Sequence, residues 1–271
     1  MAEDRDEVDD SNCKNMTTCA IAANLSSLKH CIAGCYSSAG FSGDRIPRLV
    51  AVSKLKPVAD ILTAYRCGQR HFGENYVQEL LDKANDPTLV PECPDIRWHF
   101  IGHLQSNKVN KVAQLRNIYM VETVDSEKLA RSLSQARANL GVGDAPLTLL
   151  KVLVQVNTSS EDQKHGISPG DAASLADFIR HSCPRLAFSG FMTIGSLASS
   201  QTASSGESAE NPDFSRLVRL RADFCADRQL NPDDFELSMG MSADFEQAIR
   251  QGSTSVRIGS AIFGARPPKS S

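Results

Sequence analysis

The sequence predicts a single (β/α)8 barrel of the TIM type, preceded by one N-terminal helix. Eight short apolar runs alternate with segments of helical periodicity along the chain. The runs are close to continuously apolar, as strands buried on both faces are. Strict alternation implies parallel strands joined by right-handed crossovers, and eight such units close on themselves in preference to an open sheet.

The elements follow in order. Residues 1–15 are polar and acidic, with nothing to bury, and are expected to be disordered. From Thr17 to Tyr36 the residues Ile21, Ala22, Leu25, Leu28, Ile32 and Cys35 recur at helical steps, giving a helix ahead of the first strand. That strand is Arg48–Leu49–Val50–Ala51–Val52, running on through Ser53 to Lys54, and Pro57 opens its helix. A second strand covers His71–Asn75 and its helix Tyr76–Ala84. A loop marked by Pro87, Pro91 and Pro94 leads to a third strand over 96–102 and a basic helix over 107–115. The fourth unit is a strand over 118–124 with a helix over 126–140, and the fifth a strand over 147–156 with a helix over 169–181. The sixth is a strand over 186–194 with a helix over 214–229, and the seventh a strand over 235–239 with a helix over 243–251. The eighth strand, 255–263, is expected to have no helix after it, and the N-terminal helix is expected to cover that gap. The barrel domain is thus 16–266, interrupted by a flexible serine-rich loop at 197–212.

Composition narrows the function. The 271 residues are 41% hydrophobic and 23% charged, with a formal net charge of -3, so there is no electrostatic footprint for nucleic acid or an anionic membrane. No apolar run approaches the roughly 20 residues of a membrane span. The acid-rich start argues against a signal or transit peptide, and a cytoplasmic protein is expected. Eight cysteines are scattered without a Cys-x-x-Cys pair. Cys31 and Cys35, one helical turn apart, suit a packed face better than a metal site, so free thiols are expected.

In a barrel the C-terminal strand ends meet on one face, where active sites lie. The residues gathered there are Lys54, Asn75, His99, Met192, Ser238, Ser242, Arg257, Gly259 and Ser260. Lys54 is preferred to Lys56 because it is still in the strand; Lys56 reads as a solvated loop charge. Small residues after the seventh and eighth strands, with Ser242 as a helix N-cap, offer hydroxyls and N–H groups to an anion. Asp244 and Glu246 must then point away from it. Arg257, inside the barrel, needs a partner, either a carboxylate such as Glu122 or Glu236 or a ligand atom. A lysine, an arginine and a phosphate cradle describe a pocket for an aldehyde phosphate. Pyridoxal 5′-phosphate fits, with Lys54 as the Schiff-base amine and Arg257 facing the pyridine nitrogen.

The blocks Ala51-Val52-Ser53-Lys54, Phe72-Gly73-Glu74-Asn75-Tyr76, Trp98-His99-Phe100-Ile101-Gly102-His103, Ser238-Met239-Gly240-Met241-Ser242 and Val256-Arg257-Ile258-Gly259-Ser260 closely resemble the pyridoxal 5′-phosphate homeostasis protein family. That family is itself similar to the barrel domain of alanine racemase. The resemblance implies a Schiff-base lysine at Lys54 and a pyridine-facing arginine at Arg257. It also implies a protein that supplies the cofactor to apo-enzymes without established turnover. Asn75 and Met192 would then be ring and wall contacts, and His99 either a pocket residue or a satisfied strand-end histidine. The residues after Gly264 are too few for a second, acid- or base-bearing domain, so a carrier and a monomer are expected, with an amino-acid racemase or lyase as the alternative.

Overall fold

A computed structural model of the chain describes residues 10–42, 45–140, 149–159, 161, 165–196 and 210–265. The strands are β1 Arg48–Val52, β2 His71–Glu74, β3 Arg97–Phe100, β4 Ile118–Val124, β5 Leu150–Gln155, β6 Leu186–Met192, β7 Glu236–Ser238 and β8 Ser255–Ile258. Each pairs in parallel with the next, and β8 pairs back onto β1, with Val50 opposite Arg257. The barrel is therefore closed, as the alternation predicts.

The helices that coat it are α1 Asp10–Ser38, α2 Val58–Arg66, α3 Val77–Ala84, α4 Leu89–Glu92, α5 Val109–Ala113, α6 Glu127–Ala138, α7 Pro169–Ser182, α8 Pro212–Asp227, α9 Phe245–Arg250 and α10 Ser260–Phe263. Their starts show familiar chemistry. The hydroxyl of Ser126 caps α6 and that of Ser168 caps α7, each accepting an N–H two or three residues into the helix. Proline stands at the first position of α7 and α8, where no N–H is needed. The core lies between the outer strand faces and these helices, with Phe72 against Trp98, and Phe188, Phe191, Phe224 and Phe235 edge to face.

On α1, Ile21, Leu25, Leu28 and Ile32 are buried, and the helix packs between α2 and α9. The Asn24 amide donates to the Ile262 carbonyl at 3.0 Å. The N-terminal helix thus fills the outer ring between the first and last units, as expected.

Three helical features differ from the sequence reading. Helix α1 begins at Asp10, so residues 10–15 are helical backbone; extending an anchored helix avoids the cost of nucleating one. A short helix, α4, sits in the proline-marked loop. A one-turn helix, α10, follows β8 where none was expected, because a short apolar run does not distinguish strand from helix. Residues 1–9 and 197–209, which carry most of the acidic start and the serine-rich loop, lie outside the described residues.

Among the described residues no helix is long and apolar enough to cross a membrane. Cys19, Cys31, Cys35, Cys67, Cys93, Cys183 and Cys225 are free thiols. The Cys31 sulfur lies 4.0 Å from that of Cys35 and 3.7 Å from Glu246. Burial and these neighbours push its thiol up to about 11.

Docking of α1 is tested by Ile32→Ala, which should cost about 3 kcal/mol in urea unfolding because the site cannot collapse around a lost side chain. A loss below about 1 kcal/mol would show that the helix is not packed as described.

Candidate functional site

Strand β1 ends at Val52, so Lys54 lies in the turn that follows and not in the strand, where the sequence reading placed it. The Lys56 N–H donates to the Ser53 carbonyl at 3.1 Å, and Leu55 takes a left-handed φ of 60°. Such a conformation costs an L-residue on the order of 1 kcal/mol and must be held by its surroundings.

What holds it is a buried ammonium on α3. Lys83 Nζ donates to the Ser53 carbonyl, to Glu74 Oε1 and to Glu79 Oε1, each at 2.7 Å. Ser53 Oγ donates to Glu74 Oε1 at 2.7 Å, and the Leu55 N–H donates to Glu79 Oε1 at 2.5 Å. The residues on both sides of Lys54 are thereby fixed from behind. Sequence reasoning missed this network, although Glu79 and Lys83 stand four apart on one helix, the order that favours pairing.

Lys56 also departs from expectation. Its Nζ donates to the carbonyls of Phe263, Gly264 and Ala265 at 2.8, 3.3 and 3.1 Å. It is half-buried and ties the β1 turn to the end of α10, because the barrel's closure brings that carbonyl cluster to it.

Lys54, Asn75 and Arg257 line one cavity of about 370 Å³ at the C-terminal mouth of the barrel, a volume typical of small-ligand sites. Ser242, Gly259 and Ser260 form its small-residue side. Val52, Ile101 and Ile194 supply apolar wall. Asn75 Oδ1 is buried with no hydrogen-bond partner among the described residues.

The turn after β7 depends on Gly240. Its φ is 96°, and a Cβ there would lie 2.6 Å from that of Ala248 on α9. Asp244 Oδ1 accepts the Met241 N–H at 2.6 Å, and Glu246 pairs outward with Arg250 at 3.0 Å. Neither acid is among the residues that line the cavity. The N-cap of α9 is Asp244, not Ser242, because the Met241–Asp244 turn closes on itself before the helix starts. After β8, a Cβ on Gly259 would lie 3.2 Å from the Val52 carbonyl oxygen, so a small residue lets this turn sit against β1.

Arg257 is 4% exposed. Its Nη1 donates to Ser238 Oγ at 2.6 Å and its Nη2 to the Thr193 carbonyl at 2.8 Å. Glu122 Oε2 lies 4.0 Å from Nη1 and accepts the Ser238 hydroxyl at 2.6 Å. Glu122 is thus the barrel carboxylate that Arg257 needs, while Glu236 pairs with Arg48 at 2.5 Å. Burial lowers the Arg257 pKa from its usual value, with Glu122 and Asp244 opposing the shift. Burial also works against ionising Glu122, but the His99 and Ser238 hydrogen bonds and Arg257 outweigh it and hold the carboxyl below the usual range.

Three of the nine residues expected at the site are not brought to the cavity. His99, Met192 and Ser238 lie one layer lower in the lumen. Met192 packs on Met120 and Leu153, Ser238 holds Arg257, and His99 bonds Glu122 and His71 at 2.6 and 2.8 Å. Two positions beyond His99 and Met192, just past the strand ends, Ile101 and Ile194 line the cavity, and after Ser238 the lining residues are Met241 and Ser242. Side chains on one face recur every second residue, so a candidate chosen two or three residues before the expected strand end falls in the layer below.

The family model described as alanine racemase, N-terminal domain, matches residues 20–267. Pyridoxal phosphate homeostasis proteins from Mus musculus and Homo sapiens are 52% and 50% identical over 220 residues, covering 81% of this chain and 77% of theirs. The protein of that name from Vibrio cholerae is 44% identical over 81% of this chain and 85% of its own. The chain belongs to the pyridoxal phosphate homeostasis protein family. Among solved structures, PipY of Synechococcus elongatus with PLP bound is 30% identical, with a TM-score of 0.68, over 90% of this chain and all of that one. Alanine racemase from Corynebacterium glutamicum, 16% identical, shares the fold with a TM-score of 0.61 over 94% of this chain and 63% of that one.

Two outcomes follow from this geometry. Lys83→Met leaves Glu74 buried without its cation and should cost about 3–5 kcal/mol in urea unfolding; a loss under about 1 kcal/mol would show the network to be idle. Burial, with His99, Arg48, Arg97 and Lys151 around it, pushes His71 down to about 2 from 6.5. Below pH 6.5 the unfolded chain then takes up a proton that the native chain does not, and stability present above that pH is lost by up to ~1.4 kcal/mol per unit. Relative to His71→Asn, the wild type should lose stability as the pH falls to about 4.5, and a pH-independent difference would mean that His71 titrates normally.

Proposed function

We propose that this chain binds pyridoxal 5′-phosphate in the C-terminal mouth of the barrel through Lys54, and serves as a carrier that holds the cofactor and releases it to apo-enzymes. The observation that carries this reading is one cavity of about 370 Å³ shared by Lys54, Arg257 and the small-residue turns after β7 and β8. An aldehyde needs an amine, a pyridine ring needs a flat slot with an oriented partner, and a phosphate needs unhindered N–H and hydroxyl donors. Those three needs are met on three sides of the same space.

The amine nitrogen of Lys54 would bond the aldehyde carbon with loss of one water, giving a Schiff base that water can reverse. The Arg257 guanidinium, fixed by Ser238 and Thr193, would face the pyridine nitrogen. Ser242, Gly259 and Ser260 would take the phosphate, and the Asn75 amide, with its unpartnered oxygen, would meet a polar ring substituent. Val52, Ile101 and Ile194 would cover the ring's apolar edges. The relatives carry the name of homeostasis proteins, and the structure of PipY is described with PLP bound. The racemase barrels that share the fold define the competing reading, an enzyme acting on the α-carbon of an amino acid.

The test is an absorption spectrum of the purified protein with added pyridoxal phosphate, before and after borohydride, beside Lys54→Ala. A visible band that borohydride fixes covalently, and that the alanine variant lacks, is expected. A protein that stays colourless with the cofactor present would sink the reading. Solvent deuterium exchange at the α-carbon of alanine separates carrier from racemase: none is expected, and lysine-dependent exchange would establish turnover.

A further inference from the structure

Beneath the cavity the lumen holds a file of polar side chains that contact with a ligand does not require. Arg257, Ser238, Glu122, His99, His71 and Arg97 are joined in that order, from the upper mouth to the lower. Ser238, Glu122 and His99 are 0% exposed. An unsatisfied polar atom at that depth would cost more than an apolar residue, so four buried polar groups in a line call for an account.

The direction of every bond in the file is set by its ends. Arg97 has only N–H groups to offer, so the 3.4 Å contact of its Nη1 with His71 Nε2 makes that nitrogen an acceptor. His71 then carries its proton on Nδ1 and gives it to His99 Nε2 at 2.8 Å. His99 is left with its proton on Nδ1, which it gives to Glu122 Oε1 at 2.6 Å. At the other end, Arg257 Nη1 donates to Ser238 Oγ at 2.6 Å, and that hydroxyl donates to Glu122 Oε2 at 2.6 Å. Donors point towards Glu122 from above and from below, and a carboxylate can only accept.

We propose that Glu122, His99 and His71 are positioning residues for the cofactor: they hold an ionised carboxylate under Arg257 and so keep its guanidinium aimed at the ligand. The charged groups around the file agree with that assignment. Arg48, Arg97 and Lys151 gather on Tyr119 at the lower mouth, with Glu236 answering Arg48. Among the described residues neither Arg97 nor Lys151 has a carboxylate within 4.0 Å. A positive lower end keeps the proton off His71 Nε2, and Glu122 draws it along the file. The β3–β4 register shifts between Trp98 and His99, leaving Tyr119 unpaired, and this bulge turns its ring against both histidines.

The proposal rests on the reading that the cavity takes pyridoxal phosphate, and its test separates the two. The first arm needs no cofactor: imidazole 15N spectra of the full chain at about pH 7.5 should show both His71 and His99 as neutral Nδ1–H tautomers. The second arm titrates pyridoxal phosphate into wild type, Glu122→Gln, His99→Leu and His99→Asn, whose amide nitrogen stands where Nδ1 stood. Glu122→Gln and His99→Leu should bind about tenfold more weakly, and His99→Asn within about threefold of wild type, since only it keeps the donor to Glu122. Should His99→Leu fail to fold, His71→Leu at the half-buried lower end should weaken binding about threefold in its place. An Nε2–H tautomer on either ring overturns the proposal, and so does wild-type affinity in Glu122→Gln and the leucine variants. A wild type that takes up no cofactor overturns the cavity reading as well, whereas normal uptake unaffected by every variant overturns this proposal alone.

Discussion

A positive charge sealed inside the barrel, that of Arg257, is the constraint on which the lumen depends. An unpaired ion in such a place costs several kcal/mol, roughly, and most barrel interiors avoid it by packing branched apolar residues. Here the charge is met by a hydroxyl, a main-chain carbonyl and a carboxylate, from β7, the end of β6 and β4. Each partner in turn requires its own. Ser238 must pass a hydrogen bond on, Glu122 needs a second donor, and His99 supplies it. One buried guanidinium thus dictates the residue types on four strands, and leaves Met120, Leu153 and Met192 as the lumen's apolar cluster.

Lys54 is positioned through its chain neighbours. The chain places it by fixing Ser53 and Leu55 through Lys83, Glu74 and Glu79, so the order is imposed on the backbone on either side of the amine. Closure of the barrel does the rest. Lys54 follows the first strand and Arg257 lies on the last, and they share a cavity only because β8 pairs with β1. In an open sheet they would stand at opposite edges. The docking of α1 over that seam is therefore part of what builds the site.

How much of this was legible in the sequence depended on the range of the interaction. Periodicity is local, and it gave the element order, the closed barrel, β4 at its observed bounds and the Pro169 start of α7. Small residues at two strand ends, with one lysine and one arginine, located the mouth. Of the distant partners, Glu122 was foreseen as one of two carboxylates for Arg257, and the others were not. Lys56 reads as a loop charge until the Phe263 carbonyl arrives beside it, and Lys83 reads as one face of an exposed helix until Glu74 arrives beneath it. His99, Met192 and Ser238 were placed at the mouth because strand ends carry an uncertainty of a residue or two, and two residues are one layer of the lumen.

If the chain holds the cofactor as proposed, the same buried charge bears on why a barrel of this fold would serve for holding in place of turnover. Removing an α-hydrogen with this cofactor relies on the ring as an electron sink, and the sink is strongest with the pyridine nitrogen protonated. A guanidinium kept charged by Glu122 would donate a hydrogen bond to that nitrogen without surrendering the proton, and would repel one arriving from solvent. On the proposed reading, the network that makes Arg257 tolerable inside the barrel also makes the bound ring a poor acceptor of electrons. Weakening the electron sink leaves the amine–aldehyde link untouched, because that link needs only Lys54 and loss of water. On that reading storage and catalysis ask different things of the two cations, and this lumen would satisfy the first.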